Sequence, residues 1–232
     1  MIRGAPGLVT VDFGGELTSL STTVRGGGMS AARGAIFKTV PRDFDGDPDE
    51  EAASALSMAG VSGQWLVFLT AVDVGLASIV DWGRGFAVST AGLEPPACLH
   101  TINVLAVSRE PLNQEGLVDL FKTAVEAKSL AAIKLGLMCG DDVAVGTVSD
   151  AVAVAAPLAG EGARFAGPGT SIGGAAARGV VEAVLTAAFK WLSASGGSSG
   201  FLDDESTRRY LELIRHGLAE TRSRYSSYSS PS

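Results

Sequence analysis

The chain has 232 residues, 46% of them apolar and 19% charged, and carries a net charge of −7. That composition is too apolar for a disordered segment and fits one large domain, while no uninterrupted apolar stretch approaches the roughly 20 residues of a bilayer span. An acidic balance without a run of lysine and arginine argues against nucleic acid as a partner, and the N-terminus lacks the apolar core of an export signal, so a soluble, cytoplasmic protein with no membrane partner is expected.

In chain order, residues 8–13 and 17–24 crowd β-branched and apolar side chains around Gly14-Gly15, which predicts a hairpin. A glycine loop at 25–28 follows, and the small residues of 29–38 suggest a helix. The acidic run at 43–51 does not fit a calcium loop: Gly46 falls two positions early for an EF-hand, Pro48 takes the glycine's place and Ser54 stands where the bidentate glutamate belongs. It leads instead into a helix over 48–59, with Asp49, Glu50 and Glu51 at the positive end of the dipole. Residues 65–74, 86–91, 101–108 and 143–156 read as strands, and 65–74, 101–108 and 143–156 are apolar enough to be central and buried on both faces. Helices are expected over 115–135, 171–194 and 202–222, with a flexible Gly-Gly-Ser-Ser-Gly joint at 196–200. The class is therefore mixed α/β (α+β): a single domain with a buried central sheet layered with helices over 1–200, an amphipathic helix packed on it over 201–224, and a disordered tail over 225–232. Cys98 and Cys139 are expected as buried thiols, and with His100 and His216 they show no spacing for a metal site.

At 100° per residue, the helix over 115–135 gathers Leu117, Phe121, Ala124, Ala131, Ala132 and Leu135 on one face with Lys128 near its centre; Asp119, Lys122 and Glu126 lie opposite. A lysine there either snorkels to water past a thin core or is held by a carboxylate, because an unpaired buried charge is costly. On the strand expected over 143–156, alternation puts Asp150 with Val148, Val152 and Val154 on one face, and Thr147 with Ser149 on the other. Lys128 is thus expected within hydrogen-bonding reach of Asp150 first and Asp73 second. Thr70-Ala71-Val72-Asp73 and Thr147-Val148-Ser149-Asp150 share their first and last residues, which hints at an internal duplication with a site near its pseudo-symmetry axis.

A series of segments then falls into a recognisable order: Leu20-Ser21-Thr22-Thr23-Val24-Arg25-Gly26-Gly27-Gly28, Leu69-Thr70-Ala71-Val72-Asp73, Ser89-Thr90-Ala91-Gly92-Leu93, Ile102-Asn103-Val104, Thr123-Ala124-Val125-Glu126-Ala127-Lys128, Gly146-Thr147-Val148-Ser149-Asp150-Ala151, and Phe165-Ala166-Gly167-Pro168-Gly169-Thr170. Their order resembles the adenosylcobinamide amidohydrolase family over residues 20–184. Gly26 departs from the asparagine that precedes the paired glycines in that family, and Glu94-Pro95-Pro96 replaces small polar residues.

The resemblance implies an enzyme that cleaves the amide between the aminopropanol arm and the corrin ring of adenosylcobinamide, giving adenosylcobyric acid in corrinoid salvage. Its partner is then a corrinoid small molecule; no cofactor or metal is required of the protein, a divalent ion is left open, and a homo-oligomer is compatible. Amide chemistry assigns the roles: Asp150 or Glu126 deprotonates water or the Thr147 hydroxyl, and Lys128 supplies charge or the leaving-group proton. Loop amides at Gly26, Gly27 and Gly28, or at Gly167 and Gly169, stabilise the oxyanion. Thr70, Asp73, Ser149 and Thr170 complete the expected substrate contacts. Neither histidine lies in these segments, so a Ser-His-Asp triad is not expected. The alternatives are a corrinoid-binding protein without catalysis and an amidase of another substrate class.

Overall fold

Three antiparallel strands open the chain, β1 (Ile2–Ala5), β2 (Leu8–Ser21) and β3 (Gly28–Thr39), in a computed structural model that describes residues 1–93, 101–146, 149–195 and 204–228. The hairpin expected at Gly14-Gly15 does not form. Strand β2 runs through both glycines, its register against β3 shifts between Asp12 and Leu17, and the Gly14 amide bonds the Asp12 carboxylate, so the glycines absorb an irregularity and not a chain reversal. Residues 29–38 are likewise strand and not helix. Their small side chains serve close packing: a Cβ on Gly34 would lie 2.2 Å from the Trp65 ring and 2.3 Å from the Val11 carbonyl oxygen.

Helix α1 (Pro48–Ala59) matches its expected bounds, with Asp47 as N-cap and Gly60 closing it at φ 63. Then come β4 (Leu66–Thr70), a 3-10 turn (Val74–Leu76), β5 (Ser78–Asp81), β6 (Gly85–Ala91) and β7 (Ile102–Ser108). Helix α2 (Gln114–Lys134) leads to a small hairpin, β8 (Met138–Cys139) and β9 (Asp142–Val143), then to β10 (Val152–Ala156), α3 (Ser171–Ser195) and α4 (Asp204–Tyr228). The long strand expected over 143–156 is thus only its last five residues. Val143 ends β9 and Val145 follows it, both exposed, and the alternation that grouped Asp150 with Val152 does not start from them. Cys139 is exposed and disulfide-bonded, not a buried thiol; Cys98 and His100 lie outside the described residues.

The main sheet runs β4-β3-β2-β10-β7-β6-β5, with β1 beside β2. Parallel β7 and β10 are interior, as expected, and all residues of both are buried. Strand β4 ends the path and is not central, yet Leu66, Val67 and Phe68 are fully buried. Its outer edge is occupied: Val67 N–H donates to the Arg25 carbonyl, and the Asn103 side chain donates to the Leu69 carbonyl.

Strand residues pointing one way meet helices. Ile36 and Val67 pack with Ala52, Ala55 and Leu56 of α1, whereas Val104, Ala106, Val152 and Val154 pack with α2 and α3. Residues pointing the other way, among them Val11, Phe37, Phe68, Leu105 and Ala153, form a cluster that contains no α-helical residue. The sheet therefore coils onto itself, with Phe37 and Phe68 stacked at 4.3 Å between centroids. Ile214 of α4 is buried in the helical cluster, and Arg222 pairs with Glu182 of α3.

The topology repeats. β2-β3-α1-β4 and β6-β7-α2-β10 are each an antiparallel pair followed by a helical crossover to a parallel neighbour, and the sheet reads β4-β3-β2 then β10-β7-β6. The correspondence inferred from Thr70–Asp73 and Thr147–Asp150 is not the one that the fold makes, because Asp73 follows β4 whereas Asp150 precedes β10.

Candidate active site

Lys128 sits on the buried side of α2 among Ala124, Ala127, Ala131 and Ala132, whose small side chains let the helix lie close to β10 and β7. Its Nζ donates to Oδ2 of Asp150, and both side chains are 8% exposed. The expected first-choice pairing is therefore present, although Asp150 occupies the turn before β10 and not a strand face. The second carboxylate oxygen, Oδ1, accepts from Ile102 N–H at 2.8 Å, and the Ser149 hydroxyl is 2.7 Å from that of Thr101. Gly146 lies over the pair: a Cβ there would approach Lys128 Nζ to 2.6 Å and Asp150 Oδ2 to 2.8 Å. A side chain at position 146 would have to displace one of the two charged ends, a constraint that composition does not reveal.

The loop containing Gly26, Gly27 and Gly28 leaves the same sheet edge. Thr22 N–H donates to the Val152 carbonyl and Thr22 Oγ1 accepts from Val152 N–H, so β2 ends beside the start of β10. Gly26 and Gly28 take φ 79 and 78, and the Gly26 carbonyl accepts from the Ser21 and Ser30 hydroxyls. Thr147 lies outside the described residues.

The other expected site residues are divided from this edge. Glu126 is exposed on a different side of α2, where it lines a groove of about 310 Å³ between α2, α3 and α4 with Leu130, Lys134, Pro168, Val181 and Thr221. Thr170 caps α3, accepting from Gly173 N–H and donating to the Gly167 carbonyl. The turn carrying Gly167 and Gly169 is fastened to the early part of α2, since Ala166 N–H donates to Asp119 and Thr123 donates to the Ala166 carbonyl. Asp119 precedes Lys128 by nine residues, or about 13 Å of helix axis. The Lys122 ammonium, aided by the amides of Ala166 and Gly167, holds the Asp119 carboxyl below the usual carboxylate range. Thr70 and Asp73 serve turns: Thr70 Oγ1 accepts from Val72 N–H, and Asp73 caps the 3-10 turn through Gly75 N–H. Asp73 is exposed and is not the partner of Lys128.

Several buried polar residues in the recognised segments, Asn103 among them, were not singled out as site residues. Asn103, fully buried on β7, accepts from Ala151 N–H at 3.0 Å and donates to the Leu69 carbonyl at 3.1 Å. A polar residue at an otherwise apolar strand position was the available signal. Among the described residues, no group of three or more His, Cys, Asp or Glu is arranged to hold a metal ion.

A carboxylate and an ammonium held together where two interior strands begin, beside two hydroxyls and a glycine loop, can accept and deliver protons; that is the equipment of a hydrolytic enzyme on a mixed α/β domain. The particular family follows from comparison with known proteins. The profile described as adenosylcobinamide amidohydrolase (CbiZ) matches residues 3–196, and the chain belongs to that family of enzymes. It is 32% identical over 185 residues to an adenosylcobinamide amidohydrolase of Halobacterium salinarum, covering 71% of this chain and 77% of the relative. It is 31% identical over 151 residues to one of Methanosarcina mazei, covering 63% and 72%. No solved structure matches the chain.

Proposed function

We propose that this enzyme hydrolyses the amide joining the aminopropanol arm to the corrin ring of adenosylcobinamide, releasing adenosylcobyric acid and aminopropanol during cytoplasmic salvage of corrinoids. Family membership and the names of the relatives support the substrate. The observation that carries the assignment of the site is the buried Lys128–Asp150 pair beneath Gly146.

An unactivated amide needs a nucleophile, a place for the oxyanion and a proton for the departing amine. Asp150 accepts the proton of a water molecule, or of the Thr147 hydroxyl, as oxygen attacks the carbonyl carbon. The Lys128 ammonium donates to the amide nitrogen as the carbon–nitrogen bond breaks and then regains a proton from Asp150; where Thr147 attacks, the ester it forms as the amine leaves is next hydrolysed by a water whose proton passes through Asp150 to the Thr147 oxygen, so either route consumes one water and restores the residues. Amides of the Gly26–Gly28 loop receive the developing oxyanion, while Ser149 and Thr101 order the approach. Glu126 has no part in this scheme, because it faces the helical groove. The corrinoid is the substrate, and the protein supplies no cofactor of its own.

Purified protein incubated with adenosylcobinamide, with and without a chelator, tests the reading by mass spectrometry. A new corrinoid carboxylate and free aminopropanol in both arms are expected. Tight binding without product would make the chain a non-catalytic corrinoid binder, and turnover restricted to other amides would assign it another substrate class.

A further inference from the structure

We infer that Asn103 is the positioning residue that fixes Asp150, and through it Lys128, for the reaction proposed above. Consecutive residues of β7 hold consecutive residues of the turn in reciprocal fashion. Ile102 offers its main-chain N–H to the Asp150 side chain at 2.8 Å, and Asn103 offers its side-chain oxygen to the Ala151 main-chain N–H at 3.0 Å. The Ala151 carbonyl is held in turn by Val104 N–H at 2.9 Å. Both main-chain polar groups of Ala151, the residue after Asp150, are thereby tied to β7, and with the Ile102 bond to the carboxylate this leaves Asp150 little freedom to swing from Lys128. The far side of the Asn103 amide donates to the Leu69 carbonyl of β4 at 3.1 Å. The amide is thus oriented by a donor at one end and an acceptor at the other, an arrangement that only one of its two flips satisfies. Leucine has the same branching and similar volume without either bond; aspartate keeps an oxygen for Ala151 N–H and loses the donor to Leu69.

The inference rests on the proposed function for its kinetic meaning, but not for its geometry, so two readouts are taken on the full-length chain. The first is substrate-free acetylation by limiting acetic anhydride, followed by peptide mass spectrometry, with exposed Lys122 as the internal reference. Lys128 should label about tenfold faster in Asn103→Leu than in the wild type, with Asn103→Asp between them. The second is hydrolysis of adenosylcobinamide, in which Asn103→Leu should lose about tenfold to a hundredfold in kcat with KM nearly unchanged, and Asn103→Asp should recover part of the loss. Unchanged Lys128 labelling in folded Asn103→Leu overturns the inference, as does equal loss in the two variants. If Asn103→Leu does not fold, Asn103→Asp with wild-type labelling and wild-type kcat overturns it equally. A wild-type protein that hydrolyses nothing would defeat the proposed function alone, because the labelling result stands without substrate.

Discussion

Lys128 shows how far a single residue can be read. The helical pattern placed a charge where apolar residues belong, and the cost of an unpaired buried charge demanded a carboxylate. The partner was correctly Asp150, although the strand used to locate it proved to be a turn; the energetic requirement survived the loss of the geometric one. Lys128→Met should abolish hydrolysis and cost about 3 kcal/mol in urea unfolding, because Asp150 then stays buried without its counter-charge. Adding Asp150→Asn should restore part of that stability and none of the activity; an undiminished rate in Lys128→Met would return the lysine to a structural role. Gly146→Ala is the complementary test. Its methyl group would enter the space of Lys128 Nζ and Asp150 Oδ2, so kcat should fall by about tenfold or more while the circular dichroism spectrum is retained. Nothing in the composition around residue 146 announces this, since the constraint comes from side chains distant in sequence.

At the scale of elements, the repeated β-β-α-β unit explains why one half carries the ion pair and the other does not. Matching the helix-facing pairs aligns Val104 and Val152 with Ile36 and Val67, so Ile102 and Asp150 correspond to Gly34 and Trp65. Ile102 N–H donates to the Asp150 side chain that meets Lys128, whereas the position of Asp150 is held in the first unit by an indole. In the first unit the Trp65 ring packs against Gly34 instead. Gly34→Val should therefore destabilise by about 3 kcal/mol, measured by urea unfolding, while Gly4→Ala, with nothing within 4 Å of its new methyl, should be nearly neutral.

The turn before α3 gives an element-level pH dependence. Asp119 has its carboxyl held below the ordinary value, chiefly by Lys122, so the folded form binds this proton less tightly than the unfolded chain. Its contribution is fully present above about pH 4 and is lost as the pH falls through the lowered folded value. Asp119→Asn should thus be less stable than the wild type at pH 6, with the difference narrowing as the pH falls through the lowered folded value.

For the whole molecule, α4 lies beyond the matched residues 3–196, and the described partners of Lys128 and Asp150 come from other elements. It does cover α3 and α2, through Ile214 and the Lys134–Glu220 and Arg222–Glu182 pairs. A chain ending at residue 200 should keep kcat within about threefold while melting several degrees lower, since an apolar helical surface is uncovered. Loss of activity in a folded, monomeric truncation would mean that α4 has a part in the site.

What the sequence determined by itself was whatever depends on neighbours along the chain. Helix α1 with its acidic first turn, α2 with its inward lysine, the apolar strands β6 and β7, and the ordered segments of the family could all be read from periodicity, caps and motif order. The tertiary structure decided whatever depends on neighbours across the fold. Residues 29–38 pair as a strand in which Trp65 and Val11 crowd Gly34, Gly146 passes over the Lys128–Asp150 pair ahead of β10, and Glu126 parted from Lys128 because a helix turns and rises with every residue. Local propensity specifies an element; only packing specifies which side chains meet, because that free energy resides in contacts between residues far apart in the chain.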